Sequence, residues 1–194
     1  MATWTRTVEP TTEIVSVFEA REHLRADSGD DDAMISSFVT AAREHIEEAS
    51  RRAFITQTWK LYLDRWPAVD YITLPRPPLQ SVTSIKYTDK DNVQVTWSSS
   101  NYLVDTASEP GRIVLAYGAS WPTTVTLRPM NPIEITYVAG YGGGDDVPQR
   151  WKQAVLLLAG HWFENREATV VGQTVRSIPF AVESLINLDR GSFL

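Results

Sequence analysis

Cysteine is absent from all 194 residues. That excludes a disulfide framework, a thiolate metal site and a cysteine nucleophile. Histidine occurs three times, at His23, His45 and His161. Each falls on a different predicted helix and none shows a ligand spacing such as H-E-x-x-H, so they read as packing or surface residues. Lys and Arg number 18 against 24 Asp and Glu, a net charge of −6. Gripping nucleic acid through its phosphates needs clustered positive charge, so DNA can at most slide past this surface. No apolar run approaches a membrane span, and the opening MATWTRTVEP has no apolar signal region. The expected setting is a cytoplasm or a particle assembled there. A G-x-S-x-G elbow is missing too, and no nucleophile–base–acid set appears. The expectation is no enzyme, no metal and no cofactor.

Two local motifs need a reading. Asp30, Asp31 and Asp32 suit the positive end of a helix dipole and its cap, and no distal Glu completes a calcium loop. Gly142-Gly143-Gly144 precedes a helix as a phosphate loop does. It lacks the Lys-Ser/Thr ending, and Asp145 and Asp146 would repel a phosphate, so it reads as a turn or hinge.

What is present is strong patterning, with 43% hydrophobic residues and seven Trp. The stretch PQRWKQAVLLLAGHWFENREA at 148–168 reads as one helix, with Pro148 at its first position. Trp151, Val155, Leu158 and Trp162 form one stripe at helical spacing, and further apolar residues surround it. A helix apolar all round must be covered on every side. It is either the central helix of the domain or a helix buried between subunits. Gly160 permits a close approach, and the expectation is that part of this helix lies near a neighbouring copy.

Earlier in the chain, Ser16 and Glu19 make a capping box opening a helix over 16–25. A longer helix over 31–52 turns Ile35, Phe38, Ala42, Ile46 and Ala49 inward. The period then switches to two: Ile55, Gln57, Trp59, Leu61 and Leu63 face one way. Further strands are expected at 71–74, 82–88, 93–97, 102–104, 112–116 and 133–139, with a hairpin at Asp89-Lys90-Asp91-Asn92. Residues 1–13 read as a polar, extended arm. From Pro179 a small amphipathic segment carries Phe180, Val182, Leu185, Ile186 and Leu188 on its apolar side. The fold class is α+β: a three-helix bundle core, an inserted antiparallel β domain at 55–140, and a linker and C-terminal arm at 169–194. The connector domain as a whole spans 14–168.

The order of several words is specific. They include Ile55-Thr56-Gln57-Thr58-Trp59, Leu74-Pro75-Arg76-Pro77-Pro78-Leu79, Val82-Thr83-Ser84-Ile85, Ile135-Thr136-Tyr137-Val138-Ala139-Gly140-Tyr141-Gly142 and His161-Trp162-Phe163-Glu164-Asn165-Arg166-Glu167. With the opening helix pair and residues 105–122, they make the chain resemble the head–tail connector (adaptor or head-completion) proteins of long-tailed bacteriophages, prophages and gene transfer agents. The resemblance implies a structural virion protein at the head–tail junction. It would form a ring, usually of twelve subunits, under the portal protein, extend the DNA channel without sequence-specific binding, and meet the next neck, stopper or tail protein. It carries no catalytic residues.

On that footing, Phe180, Val182, Leu185, Ile186 and Leu188 are candidates for docking on the portal. Trp151, Gly160, Trp162, Asn165, Arg166 and Arg76 are candidates for the subunit–subunit interface, where Trp and Arg are enriched. The competing readings are another neck or tail component, such as a stopper or tail-end protein, and a monomeric binding module using Trp59, Trp66, Trp97 and Trp121. A hydrolase ranks last.

Overall fold

The computed structural model describes residues 2–26, 29–165 and 180–190, with the side chains at 30 and 188–190 outside that description. The protein is α+β, with four α-helices and antiparallel sheets among the described residues. It divides into two compact units, residues 1–11 with 56–141 and residues 12–55 with 142–194.

The first unit is β. Strand β1 (Ala2–Val8) pairs with β2 (Gln57–Leu63). With β4 (Leu79–Thr88), β5 (Gln94–Trp97) and β8 (Ile133–Ala139) they make a sheet ordered β1-β2-β8-β4-β5. Strand β8 lies in the middle. Its Ile133, Ile135, Tyr137 and Ala139 are fully buried and alternate with half-exposed residues, as one covered face requires. The registers align Leu61, Ile135 and Ile85 across three strands. Tyr137 donates its hydroxyl to the Pro75 carbonyl at 2.9 Å, and burial pushes its hydroxyl pKa well above the usual range. A second sheet, ordered β3-β7-β6, joins β3 (Tyr71–Thr73), β7 (Arg112–Leu115) and β6 (Tyr102–Asp105). In the β4–β5 hairpin, the Asp89 carboxylate accepts from the N–H groups of Asp91 and Val93, and Asn92 takes φ 62. Such side-chain turns are why Asp and Asn punctuate strands. Gly111 has no alternative, because any side chain there would collide with Leu79.

The N-terminal stretch expected as an arm is thus a strand. Its Thr3, Thr5 and Thr7 favour the pleated backbone, but it has no buried face, so the apolar alternation that reveals a strand is missing.

The second unit is helical: α1 (Val17–Leu24), α2 (Asp32–Ser50), α3 (Gln149–Glu164) and α4 (Phe180–Arg190). The capping box is formed, with Glu19 N–H to Ser16 Oγ at 3.1 Å and Ser16 N–H to Glu19 Oε2 at 2.7 Å. Arg25 and Arg51 end α1 and α2 in the left-handed conformation. Helices α1, α2 and α3 pack on one another, and α4 packs on both α2 and α3. Ile35, Val39, Ala42 and Ile46 of α2 are buried, as are Ile14, Phe54, Ala154, Val155 and Leu158 of the same unit. Helix α3 ends at Glu164, and the expected extension to 168 lies outside the described residues.

Candidate interaction surfaces

Among the described residues no group of three His, Asp or Glu could hold a metal ion. His23 and His45 are exposed, and His45 meets the edge of Trp162 at 6.1 Å. Asp31 stands at the N-cap of α2 with helical backbone and makes no side-chain cap bond, while Asp32 reaches Arg21 of α1 at 3.4 Å. Asp32 therefore ties the two helices together. At the glycine loop, Asp146 accepts the Gly143 N–H at 2.8 Å. A carboxylate of the chain itself occupies the place a phosphate would take.

Helix α3 is covered largely by its own chain. Trp151 is fully buried with its ring 4.9 Å from that of Phe54. A Cβ on Gly160 would lie 3.2 Å from Leu24 Cδ2 and 3.9 Å from His23. The close approach that Gly160 allows is that of α1, within one chain. Arg76 of the β unit is also buried, at φ 64, with its guanidinium 5.3 Å from the centre of the Trp59 ring. Three interface candidates thus already have partners within the chain. Trp162 remains half-exposed together with Leu156, Leu157 and Phe163. Asn165 is exposed and donates to the His161 carbonyl at 2.8 Å, finishing the helix. Arg166 lies outside the described residues.

The five arm candidates separate in the same way. Val182 and Ile186, one turn apart on α4, are buried in the packing of α4 on α2 and α3. Leu185 is half-buried and Phe180 is 73% exposed. Leu188 has its side chain outside the description.

A buried ionic network underlies these surfaces. Arg43 of α2 donates from Nε to Glu13 Oε2 at 2.8 Å and from Nη1 to Glu47 Oε2 at 2.8 Å. Glu47 Oε1 accepts the Phe54 N–H at 2.7 Å, and Thr40 donates to Glu13 at 2.8 Å. Burial alone would lower the Arg43 pKa, but the hydrogen bond to Glu13 and the charges of Glu47, Glu13 and Glu44 raise it on balance. The Arg43–Glu47 pair fastens the segment before α1, α2 itself and the segment after it. Nothing in the sequence pointed to Glu13, thirty residues from Arg43. The usable signal was that Arg43 and Glu47 flank Ala42 and Ile46 on the inward side.

Charge is unevenly shared. In the β unit eight acidic residues balance eight basic ones, whereas the helical unit has sixteen acidic against ten basic and carries the whole −6. Four of the β unit's five tryptophans are core, and the fifth, Trp4 of β1, is 44% exposed. Trp66 stacks on Trp121 at 5.2 Å, and Trp97 lies 5.7 Å from Trp66 and 5.1 Å from Trp121. With Trp59 they are all less than a tenth exposed. A binding module that reads its ligand through these four rings does not fit this geometry.

The sequence profile of head completion proteins matches residues 13–190. The chain belongs to that family. Solved structures agree along nearly the whole length of this head completion protein. It is 28% identical to a chain in the virion of a native gene transfer agent particle, covering 96% of this chain and 94% of that one with a TM-score of 0.78. The neck of the empty particle, computed with C6 symmetry, gives 28% identity, the same coverage and a TM-score of 0.75. The neck of the native particle, computed with C12 symmetry, gives 29% identity, coverage of 97% and 94%, and a TM-score of 0.73. No curated protein sequence matches. Among the described residues, no helix is long and apolar enough to cross a membrane.

Proposed function

We propose that this head completion protein is a structural ring component of a virion neck, seated under the portal, where it joins the DNA-filled head to the neck or tail and extends the DNA channel. The observation that carries this reading is similarity over at least 94% of both chains to proteins in gene transfer agent necks computed with C6 and C12 symmetry. Twelve copies per ring is the matching stoichiometry. The acidic helical unit suits a protein past which DNA must move, because like charge keeps the duplex from sticking.

Within that role, α1, α2 and α3 form the three-helix core and α4 is the docking arm for the portal, with Phe180, Val182, Leu185, Ile186 and Leu188 as its contacts. Phe180 and Leu185 are available while α4 rests on α2 and α3, but Val182 and Ile186 become so only if α4 lifts away. Trp162 and Asn165 are the interface candidates still at the surface, and the next neck or stopper protein meets the opposite end of the ring.

The test is negative-stain imaging and mass measurement of the purified protein with and without portal. Rings on the portal support the reading, and a monomer in both samples overturns it. Deleting residues 178–194 should yield heads that package DNA but lack the ring. Normal ring attachment in that variant removes the arm from the proposal.

A further inference from the structure

Strand β1 is an unusual member of its sheet. It lies at the edge, and every one of its residues is exposed except the half-buried Arg6. Its contacts are concentrated on β2, with no other element sharing substantial contact. Even its side-chain contacts run mainly to that strand: Arg6 Nη1 to Gln57 Oε1 at 3.4 Å, Arg6 over Trp59 at 5.9 Å, and Thr7 Oγ1 to the Thr58 carbonyl at 3.2 Å. The strand is held chiefly by its backbone ladder to β2, and Arg6 also pairs with Glu9 of the connection at 2.7 Å. It is also separated in the chain from the sheet it joins. Residues 9–12, exposed apart from a half-buried Pro10, lead from β1 directly into the helical unit, and the chain returns to the β unit only at 56.

We propose that β1 is an exchangeable strand, and that in the assembled ring the β1 of one copy pairs with the β2 of its neighbour. This rests on the ring reading above. Exchange recreates the same antiparallel ladder between identical sequences, so nothing made in the single chain is lost, and this is why strand swapping is a low-cost route to assembly. A donated strand is also a head-to-tail contact, the kind that closes a ring: each copy gives one strand and receives one. An open row of copies would leave one β2 edge bare, and bare edges are disfavoured, so exchange favours closure. The exposed connection supplies the slack, since it has no buried side chain to pull out.

The absence of cysteine makes the test clean. Thr3 and Tyr62 are register partners across β1 and β2, and residues directly opposite in an antiparallel pair lie within disulfide reach. The variant carrying Thr3→Cys and Tyr62→Cys, assembled on the portal and oxidised, should run on a non-reducing gel as a ladder of covalent multimers. Oxidised while still monomeric in dilute solution, it should give an internally linked monomer. A control with Tyr62→Cys and Glu134→Cys, register partners across β2 and β8, should give only monomer in both states. If the first variant folds poorly, Thr5→Cys with Lys60→Cys tests the same ladder. Imaged rings that yield only linked monomer overturn the exchange and leave the ring reading intact. Failure to form rings, by the parent protein as well, overturns the ring reading and the exchange with it.

Discussion

Arg43 and Glu47, four residues apart on α2, meet at 2.8 Å with side-chain exposures of only 3% and 6%. The pair is completed by Glu13 and by the Phe54 N–H, so every charge in the group has a partner. Removing one member of a buried pair leaves the other charge unpaired at a cost of about 3–5 kcal/mol. Arg43→Ala should therefore lower the unfolding free energy by about that amount in urea denaturation. A loss of under about 1 kcal/mol, the size of a surface ion pair, would show that the group is solvated.

The capping box gives a smaller and pH-dependent effect. Ser16→Ala should cost about 1 kcal/mol, as for other N-caps. Hydrogen bonds from the Ser16 backbone and then its hydroxyl hold the Glu19 pKa below its usual 4.5. A carboxylate with a depressed folded pKa adds stability above the unfolded pKa and loses it as pH falls through the folded one. The gap between parent and Ser16→Ala should thus narrow as pH drops from about 4.5 downward. Thermal melts at pH 7 and pH 3 measure it, and an equal gap at both refutes the linkage.

Gly160 separates contacts within the chain from contacts between copies. Its neighbour at 3.2 Å is the flexible tip of Leu24, so Gly160→Ala should be close to neutral, the tight contact being offset by better helix propensity of about 0.5–1 kcal/mol. Gly160→Phe should force α1 away and cost about 1–3 kcal/mol. Assembly on the portal should be unchanged for Gly160→Ala. A ring defect in a fully stable Gly160→Ala protein would place this glycine at the subunit interface.

Periodicity made much of this fold readable. Strand β8 shows its period of two in Ile133, Ile135, Tyr137 and Ala139, and α2 its helical period in Ile35, Ala42 and Ile46, although Val39 is the buried residue between them where Phe38 was expected, and Phe38 and Ala49 are only half-buried. These patterns survive because each element buries one face against its own chain. Strand β1 escaped because it buries none. Trp66, Trp97 and Trp121 were visible singly, but their meeting in one cluster is a tertiary fact that no local spacing encodes. The same holds for α4, whose Val182 and Ile186 announce an apolar stripe without naming what covers it. Trp151 and Gly160 read as surplus apolar surface because the closeness of Phe54 and Leu24 could not be seen in the sequence.

The stripe of α4 yields the last prediction. Val182 is fully buried and Phe180 lies largely in solvent. Val182→Asp places an unpaired charge in the packing of α4 on α2 and α3, and a charge buried without a partner is expelled or neutralised. The economical response is release of α4 alone, since among the described residues Val182 and Ile186 are the buried side chains of α4. The variant should then keep a single cooperative melt for the remainder while the segment after 165 is cut faster by protease, followed by mass measurement. Phe180→Asp should leave protease resistance unchanged, because that side chain is not part of the packing. If α4 is the portal-docking arm, the two variants should also differ on heads. Phe180→Asp should weaken ring attachment without altering the free protein, whereas Val182→Asp should alter both. Equal protease resistance of Val182→Asp and the parent would show that burial of Val182 does not hold the arm in place.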